Sequence, residues 1–309
     1  MTIPVVSLVS ADAVNLIDHA CRDLGFLAVV DHGVDQSVLE RSWSDARHFF
    51  DLPIGERMRV AMPYPGYPYG YSPIAGETLA RSTGKVASPD LKESFAIGPV
   101  EPPTHRFMDS DEEFAWSDNL WPPALPGMRE SWSARYHELS ALADRLLSLM
   151  ARSLGLPVDH FQSLIDRHTS AMRALNYPGG DQTPGGWGAS AHTDYGTLTI
   201  LQVDPHEPGL EVRTADGSWV DVDPPAGALV VNLGDAMERW TNDRWRSTLH
   251  RVRVPRRRRQ SIAFFHNANW DAVIECIPTC LEPGAEPRHP PVQAGPHLMT
   301  KFRATVNRY

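Results

Sequence analysis

Ala189-Ser190-Ala191-His192-Thr193-Asp194, running on into Leu198-Thr199-Ile200-Leu201-Gln202-Val203, decides how this 309-residue chain is read. Both flanks look like strands. Residues two apart on a strand share a face, so His192 and Asp194 present an imidazole and a carboxylate side by side, with Thr193 turned away. The next histidine of interest, His250 in Ser247-Thr248-Leu249-His250-Arg251-Val252, is 56 residues beyond Asp194. That is too far for a local zinc loop, so a sheet folding back on itself must return it. Nine residues later Arg259-Gln260-Ser261-Ile262-Ala263-Phe264-Phe265 reads as another strand, with Arg259 and Ser261 on one face.

Two neutral imidazoles and one carboxylate fill one face of an octahedral ion and leave three positions open. That is the ligand set of non-heme Fe(II) oxygenases. Thiolates, which would favour zinc or an iron–sulfur cluster, are absent from it. A partly buried arginine stays charged and grips a carboxylate with two parallel bonds, and a serine hydroxyl adds a third. Each piece is weak alone. A bare His-x-Asp recurs by chance, a lone histidine is commonly a surface or core residue, and Arg259 closes a run, Arg256-Arg257-Arg258-Arg259, that could be a solvated basic turn. The specific signal is the ordered combination within strand patterning.

With these residues in place, the chain resembles the isopenicillin N synthase-like family of Fe(II)/2-oxoglutarate-dependent oxygenases. The resemblance runs from about residue 3 to 275. It rests on Ile3-Pro4-Val5-Val6, on Gly25-Phe26 followed by His32-Gly33-Val34, and on Phe49-Phe50-Asp51-Leu52-Pro53. Asn119-Leu120-Trp121-Pro122, Asn232-Leu233-Gly234-Asp235 and Trp240-Thr241-Asn242 follow in the family's order. It implies a mainly β fold with flanking helices around a double-stranded β-helix, or jelly-roll. It assigns His192, Asp194 and His250 to Fe(II), and Arg259, Ser261 and Tyr177 to the distal carboxylate of 2-oxoglutarate. Where many members carry Asn two places before that tyrosine, this chain has Leu175, so a contact from Asn176 to the co-substrate is not expected. Halogenating relatives need a small residue in the carboxylate slot; Asp194 speaks against that chemistry.

The implied reaction consumes O2 and 2-oxoglutarate, releases succinate and CO2, and oxidises a small-molecule metabolite by hydroxylation, desaturation or ring closure. Three alternatives use the same residues: an Fe(II) oxidase or cyclase that needs no 2-oxoglutarate, an ethylene-forming type of enzyme, and a catalytically inactive jelly-roll binding protein. Succinate release separates the first from the main reading, and iron-dependent O2 uptake separates the last.

The remaining features set limits. A net charge of −9 and a pI near 5.8 argue against a nucleic-acid footprint, and only Lys85, Lys92 and Lys301 of the 29 basic residues are lysine. Three cysteines, Cys21, Cys276 and Cys280, suit a reducing interior rather than a disulfide framework. No signal-like apolar segment follows Met1 and no 18-residue apolar run occurs, so a cytoplasmic protein is expected, monomeric or weakly self-associating, with no membrane partner.

We expect a single oxygenase domain in three stretches: helices, strands and loops over 1–170, the jelly-roll core with the iron site over 171–277, and a C-terminal wrap over 278–309. Asp35 should cap a helix over about 36–50. Leu139, Leu142, Leu146, Leu149 and Met150 recur at helical spacing within about 127–154, with Gly155 as the stop. A second helix is expected at about 158–168. Short strands between Gly, Pro and Asp turns then fill 171–277. Residues 61–130, rich in Pro, Gly and Tyr, read as a surface loop or a substrate-facing wall. Tyr71, Phe95, Phe265 and Asn267 are candidates to line the substrate, Leu201, Val212 and Val231 to fill the barrel core, and Phe302 to Tyr309 to close over the site.

Overall fold

The computed structural model describes residues 3–64, 66–76, 78–83, 89–180 and 186–305. In chain order the strands are β1 (Val5–Ser7), β2 (Phe26–Val30), β3 (Gly70–Ser72), β4 (Glu93–Ile97), β5 (Ala171–Tyr177), β6 (Ala189–His192) and β7 (Leu198–Val203). They continue as β8 (Leu210–Arg213), β9 (Trp219–Asp221), β10 (Leu229–Leu233), β11 (His250–Val252), β12 (Arg259–His266), β13 (Val273–Ile274) and β14 (Val292–Gln293). The helices are α1 (Ala13–Asp23), α2 (Gln36–Asp51), α3 (Ile54–Met58), α4 (Ser110–Ala115), α5 (Met128–Ser153), α6 (Gln162–Ile165), α7 (Asp235–Trp240) and α8 (Ala294–Thr305).

Among the described residues, eight strands make the main sheet, in the order β1-β2-β10-β7-β12-β5-β4-β3, and four make the minor one, β6-β11-β8-β9. Alternation along β12 shows how the layers divide. Ile262 and Phe264 join the core formed with α1, α2 and α5, where Ile17, Phe49, Trp132 and Leu146 are buried. Ala263 and its same-face neighbour Phe265 belong to a second cluster between the two sheets, with Leu175, Tyr177, Val212 and Val252. One face of β12 is thus spent on packing under the helices, and the other is left for the cavity.

Several expected elements form as read. Asp35 accepts from the Ser37 amide at 2.8 Å at the start of α2. Gly155, with φ +72°, follows the long helix α5. Val212 fills the core between the sheets, whereas Val231 belongs to the helix-side core and Leu201 lines the cavity. The three cysteines are free.

Other expectations change. The helix expected over 158–168 shrinks to α6. Asn269, donating through its backbone amide to Leu164 O (2.7 Å) and through its side chain to Ser163 O (3.0 Å), takes the carbonyls that a longer helix would use. The loop region 61–130 supplies β3 and β4, which extend the main sheet beyond β5. At the other end of the chain the wrap includes the helix α8. Among the described residues no helix is long and apolar enough to cross a membrane.

Candidate active site

Strand pairing assembles the site. In the minor sheet His250 at the start of β11 lies directly across from His192 at the end of β6, and their ring centroids are 4.3 Å apart. Asp194 lies just past the end of β6, so the strand pleat does not aim it. Hydrogen bonds do: its Oδ2 accepts from Thr199 Oγ1 at 2.5 Å and from Asn232 Nδ2 at 2.7 Å, while Oδ1 is 3.8 Å from His250 Nε2. His192 Nδ1 bonds Ser190 O at 2.7 Å and His250 Nδ1 bonds Thr248 O at 3.1 Å. Each ring thereby turns its Nε2 inward, as histidines oriented for a metal do. One ligand atom from each of the three side chains lies within 4.8 Å of the others, and all three residues are buried.

The electrostatics suit a cation. Burial, then the neighbouring His250, hold the His192 imidazole down at about pKa 4, so it is neutral at neutral pH. Burial opposes ionisation of Asp194, but His250, His192 and the two hydrogen bonds outweigh it and hold the carboxyl below its ordinary range.

The second group comes from the main sheet. Antiparallel pairing of β12 with β5 places Tyr177 opposite Arg259 and Leu175 opposite Ser261. Arg259 is 1% exposed, its guanidinium carbon is 5.0 Å from the Tyr177 ring centre, and Nη1 reaches Ser261 Oγ at 3.4 Å. Among the described residues it has no carboxylate partner, and its Nε has no hydrogen bond. A buried guanidinium without an anion is costly, which fits a site built for the carboxylate of a ligand.

Both groups line one cavity of about 250 Å³ between the sheets. Phe265 and Asn267 line it too, as expected, and so do Tyr67 and Tyr69 from the tyrosine-rich loop and Leu298, Met299 and Phe302 of α8. Residues 306–309, the end of the segment expected to close the site, lie outside the described residues. Tyr71 and Phe95 do not line the cavity. They lie on the helix side of the main sheet against Phe49, with Tyr71 Oη donating to Glu93 Oε2 at 2.5 Å. Asn176 also points that way, donating to Glu93 Oε1 at 2.7 Å, because it alternates with Tyr177. The reading from sequence assigned Thr199 and Asn232 no role. The available signal was a polar Asn232 inside the apolar run Leu229-Val230-Val231-Asn232-Leu233.

Comparison with known proteins agrees with this arrangement. The model of the 2OG-Fe(II) oxygenase superfamily matches residues 168–268, and that of the N-terminal region of non-haem dioxygenases in morphine synthesis matches residues 3–124. The 2-oxoglutarate-Fe(II) type oxidoreductase hxnY of Emericella nidulans is 33% identical over 96% of this chain and 86% of its own length. The chain belongs to the 2-oxoglutarate/Fe(II) oxygenase family. Homoarginine-6-hydroxylase 2-ODD-233 of Oryza sativa is 34% identical to this oxygenase over 93% of the chain and 88% of its own length. Among solved structures, a full-length Neurospora crassa protein crystallised in complex with alpha-KG superposes with a TM-score of 0.86 at 27% identity, covering 98% of this chain and 96% of the Neurospora one. A 2OG-Fe(II) oxygenase family protein from Caulobacter crescentus reaches 0.84 at 31%, covering 97% and 98%. This oxygenase is therefore a 2-oxoglutarate-dependent dioxygenase with a jelly-roll core, acting on a small molecule and using Fe(II) and 2-oxoglutarate.

Proposed function

We propose that His192, Asp194 and His250 hold the Fe(II), that Arg259, Ser261 and Tyr177 hold the far carboxylate of 2-oxoglutarate, and that the product is a hydroxylated small metabolite. The observation that carries this is the pairing, inside one cavity, of a buried His-Asp-His cluster with a buried arginine lacking an anionic partner among the described residues. The donor set fits the ion, being nitrogen and oxygen only, with both imidazoles oriented through their Nδ1 atoms. When bound, Fe(II) supplies the activation of O2 that couples decarboxylation of 2-oxoglutarate to oxidation of a C–H bond.

The chain's own share is positioning and exclusion of water. Thr199 and Asn232 hold one oxygen of Asp194, leaving the other toward the histidines. Arg259 fixes the co-substrate's far end, so its other end is presented to the cluster in one orientation. Tyr67, Tyr69, Phe265 and the apolar residues of α8 line the space that remains. Hydroxylation is favoured over the other outcomes because relatives of similar length are named homoarginine-6-hydroxylase and proline hydroxylase. The Neurospora crassa protein has also been solved with thymine, so a compact metabolite is the substrate class we infer. The segments 1–170, 171–277 and 278–309 act here as one oxygenase unit, since the cavity takes residues from all three.

The test is succinate release and O2 uptake by protein purified without oxygen and loaded with Fe(II) and 2-oxoglutarate, across a metabolite library. Succinate that rises with one compound establishes the reading and names the substrate. Iron-dependent O2 uptake without succinate assigns Arg259 to a substrate carboxylate instead.

A further inference from the structure

The carboxylate of Asp90 is 1% exposed and lies outside both residue groups described above. Its two oxygens face different parts of the molecule. Oδ1 accepts from the Ser190 backbone amide at 2.8 Å and from the Ser190 hydroxyl. Oδ2 accepts from the Leu79 amide at 3.1 Å and from Lys92 Nζ at 3.2 Å. The first oxygen therefore grips the strand β6 two residues before His192. The second grips a stretch of the cavity wall, since Leu79 and Lys92 both line it. Leu79 also begins the 3-10 turn Leu79–Thr83, which packs against β6 on one side and against α8 on the other.

Ser190 is the residue whose carbonyl accepts from His192 Nδ1 at 2.7 Å. One buried carboxylate thus fixes the residue that orients an imidazole of the cluster, and the same carboxylate holds a stretch of the cavity wall. Outer hydrogen bonds of this kind set ligand orientation and, when removed, typically cost metal affinity by about 10–100-fold.

We propose that Asp90 is a positioning residue for His192, joining the wall of the substrate cavity at Leu79 and Lys92 to the metal cluster through Ser190. The proposal rests on the assignment of His192 to the metal. Asp90 touches neither metal nor substrate. Its effect is to make the direction of the His192 ring depend on how Leu79 and Lys92 are seated. Asp90→Asn is the discriminating change, because an amide accepts through one atom only and turns an N–H toward donors on its other side. It therefore cuts one arm of the fork while keeping its shape.

Co(II) is the probe, read by its dissociation constant and by its d–d absorption bands, with thermal unfolding followed in parallel. Expected are wild-type binding, an Asp90→Asn dissociation constant raised about tenfold or more, and displaced d–d bands. Ser190→Ala, which removes one hydroxyl bond and leaves the backbone bond, should fold as the wild type does and show a smaller change in the same direction. An Asp90→Asn protein, or a Ser190→Ala protein if the first does not fold, with unchanged Co(II) affinity and bands would overturn the proposal, whatever happens to its melting temperature. A wild-type protein that binds no Co(II) overturns the metal assignment itself and this proposal with it, so the two failures are told apart.

Discussion

Arg259 illustrates how much one buried charge can decide. The folded chain keeps a guanidinium at 1% exposure beside a phenol ring and a hydroxyl, with no described carboxylate against it. Arg259→Ala is expected to weaken 2-oxoglutarate by about 2–5 kcal/mol, the range for truncating one partner of a buried charge pair. Calorimetric titration of 2-oxoglutarate checks this, and unchanged affinity would remove Arg259 from the pocket. Asp194→Ala is expected to abolish metal binding and turnover with the fold retained. It also strands the hydroxyl of Thr199 and the amide of Asn232, so melting should come earlier, by an amount corresponding to about 1–3 kcal/mol. Iron content after anaerobic loading, set beside circular dichroism, separates the two effects.

Among the elements, the turn from β10 into α7 has a role that its sequence hides. A Cβ on Gly234 would run into Gly196 O, a backbone atom that cannot yield easily. Gly234 also donates to Thr197 O at 3.0 Å and Asp235 to Asp194 O at 2.8 Å, so this turn is moulded to the loop that carries Asp194. Gly234→Ala should therefore lower metal affinity together with the melting temperature. A loss of stability alone, with metal affinity intact, would show that the loop adapts. In α8, Phe302 lines the cavity and its ring centroid lies 5.9 Å from that of Phe114. Phe302→Ala should raise the KM for the primary substrate and leave that for 2-oxoglutarate unchanged, which steady-state kinetics on both will show.

What could be read from sequence follows the same division. β12 and the His192 end of β6 were legible because residues two apart on a strand share a face, and Arg259 and Ser261 share the face of β12 turned to the cavity. The same rule does not place Asp194, which lies beyond β6 and is held by Thr199 and Asn232. β3 and β4 were not, since a stretch dense in Pro, Gly and Tyr carries no clear period and becomes sheet only because β5 offers it an edge. The placement of Tyr71 and Phe95 failed for that reason: without a strand there was no face to assign. α6 shows the converse, with local helix preference overridden by one distant residue, Asn269, through its backbone amide and its side chain.

At the scale of the whole molecule, acid should loosen the fold through buried histidines. His266 is fully buried and its ring centroid is 4.9 Å from that of His168. Burial holds His168 down at about pKa 4 and His266 well below its ordinary value, with His168 adding to the effect on His266. In the unfolded chain both rings take up protons below about pH 6.5, while in the folded chain they do not. Their contribution is thus fully present above pH 6.5 and is lost as the pH falls from there toward 4, by about 1.4 kcal/mol per pH unit for each ring kept neutral. Melting temperatures between pH 7.5 and 4.5 should fall less steeply for His168→Phe than for the wild type. Parallel profiles would place the acid sensitivity elsewhere.

The two ends of the cavity are made differently, and this bears on how the protein can change. The two histidines and the arginine stand on the paired strands β6, β11 and β12, and Asp194 just past β6 is pinned by Thr199 and Asn232, whereas Tyr67, Tyr69, Met299 and Phe302 belong to a loop and a C-terminal helix. Residues of the second kind can be exchanged without disturbing the register that holds the first. A lineage, or a laboratory library, restricted to residues 61–76 and 294–305 would therefore explore new substrates while the machinery that generates the oxidant is inherited unaltered.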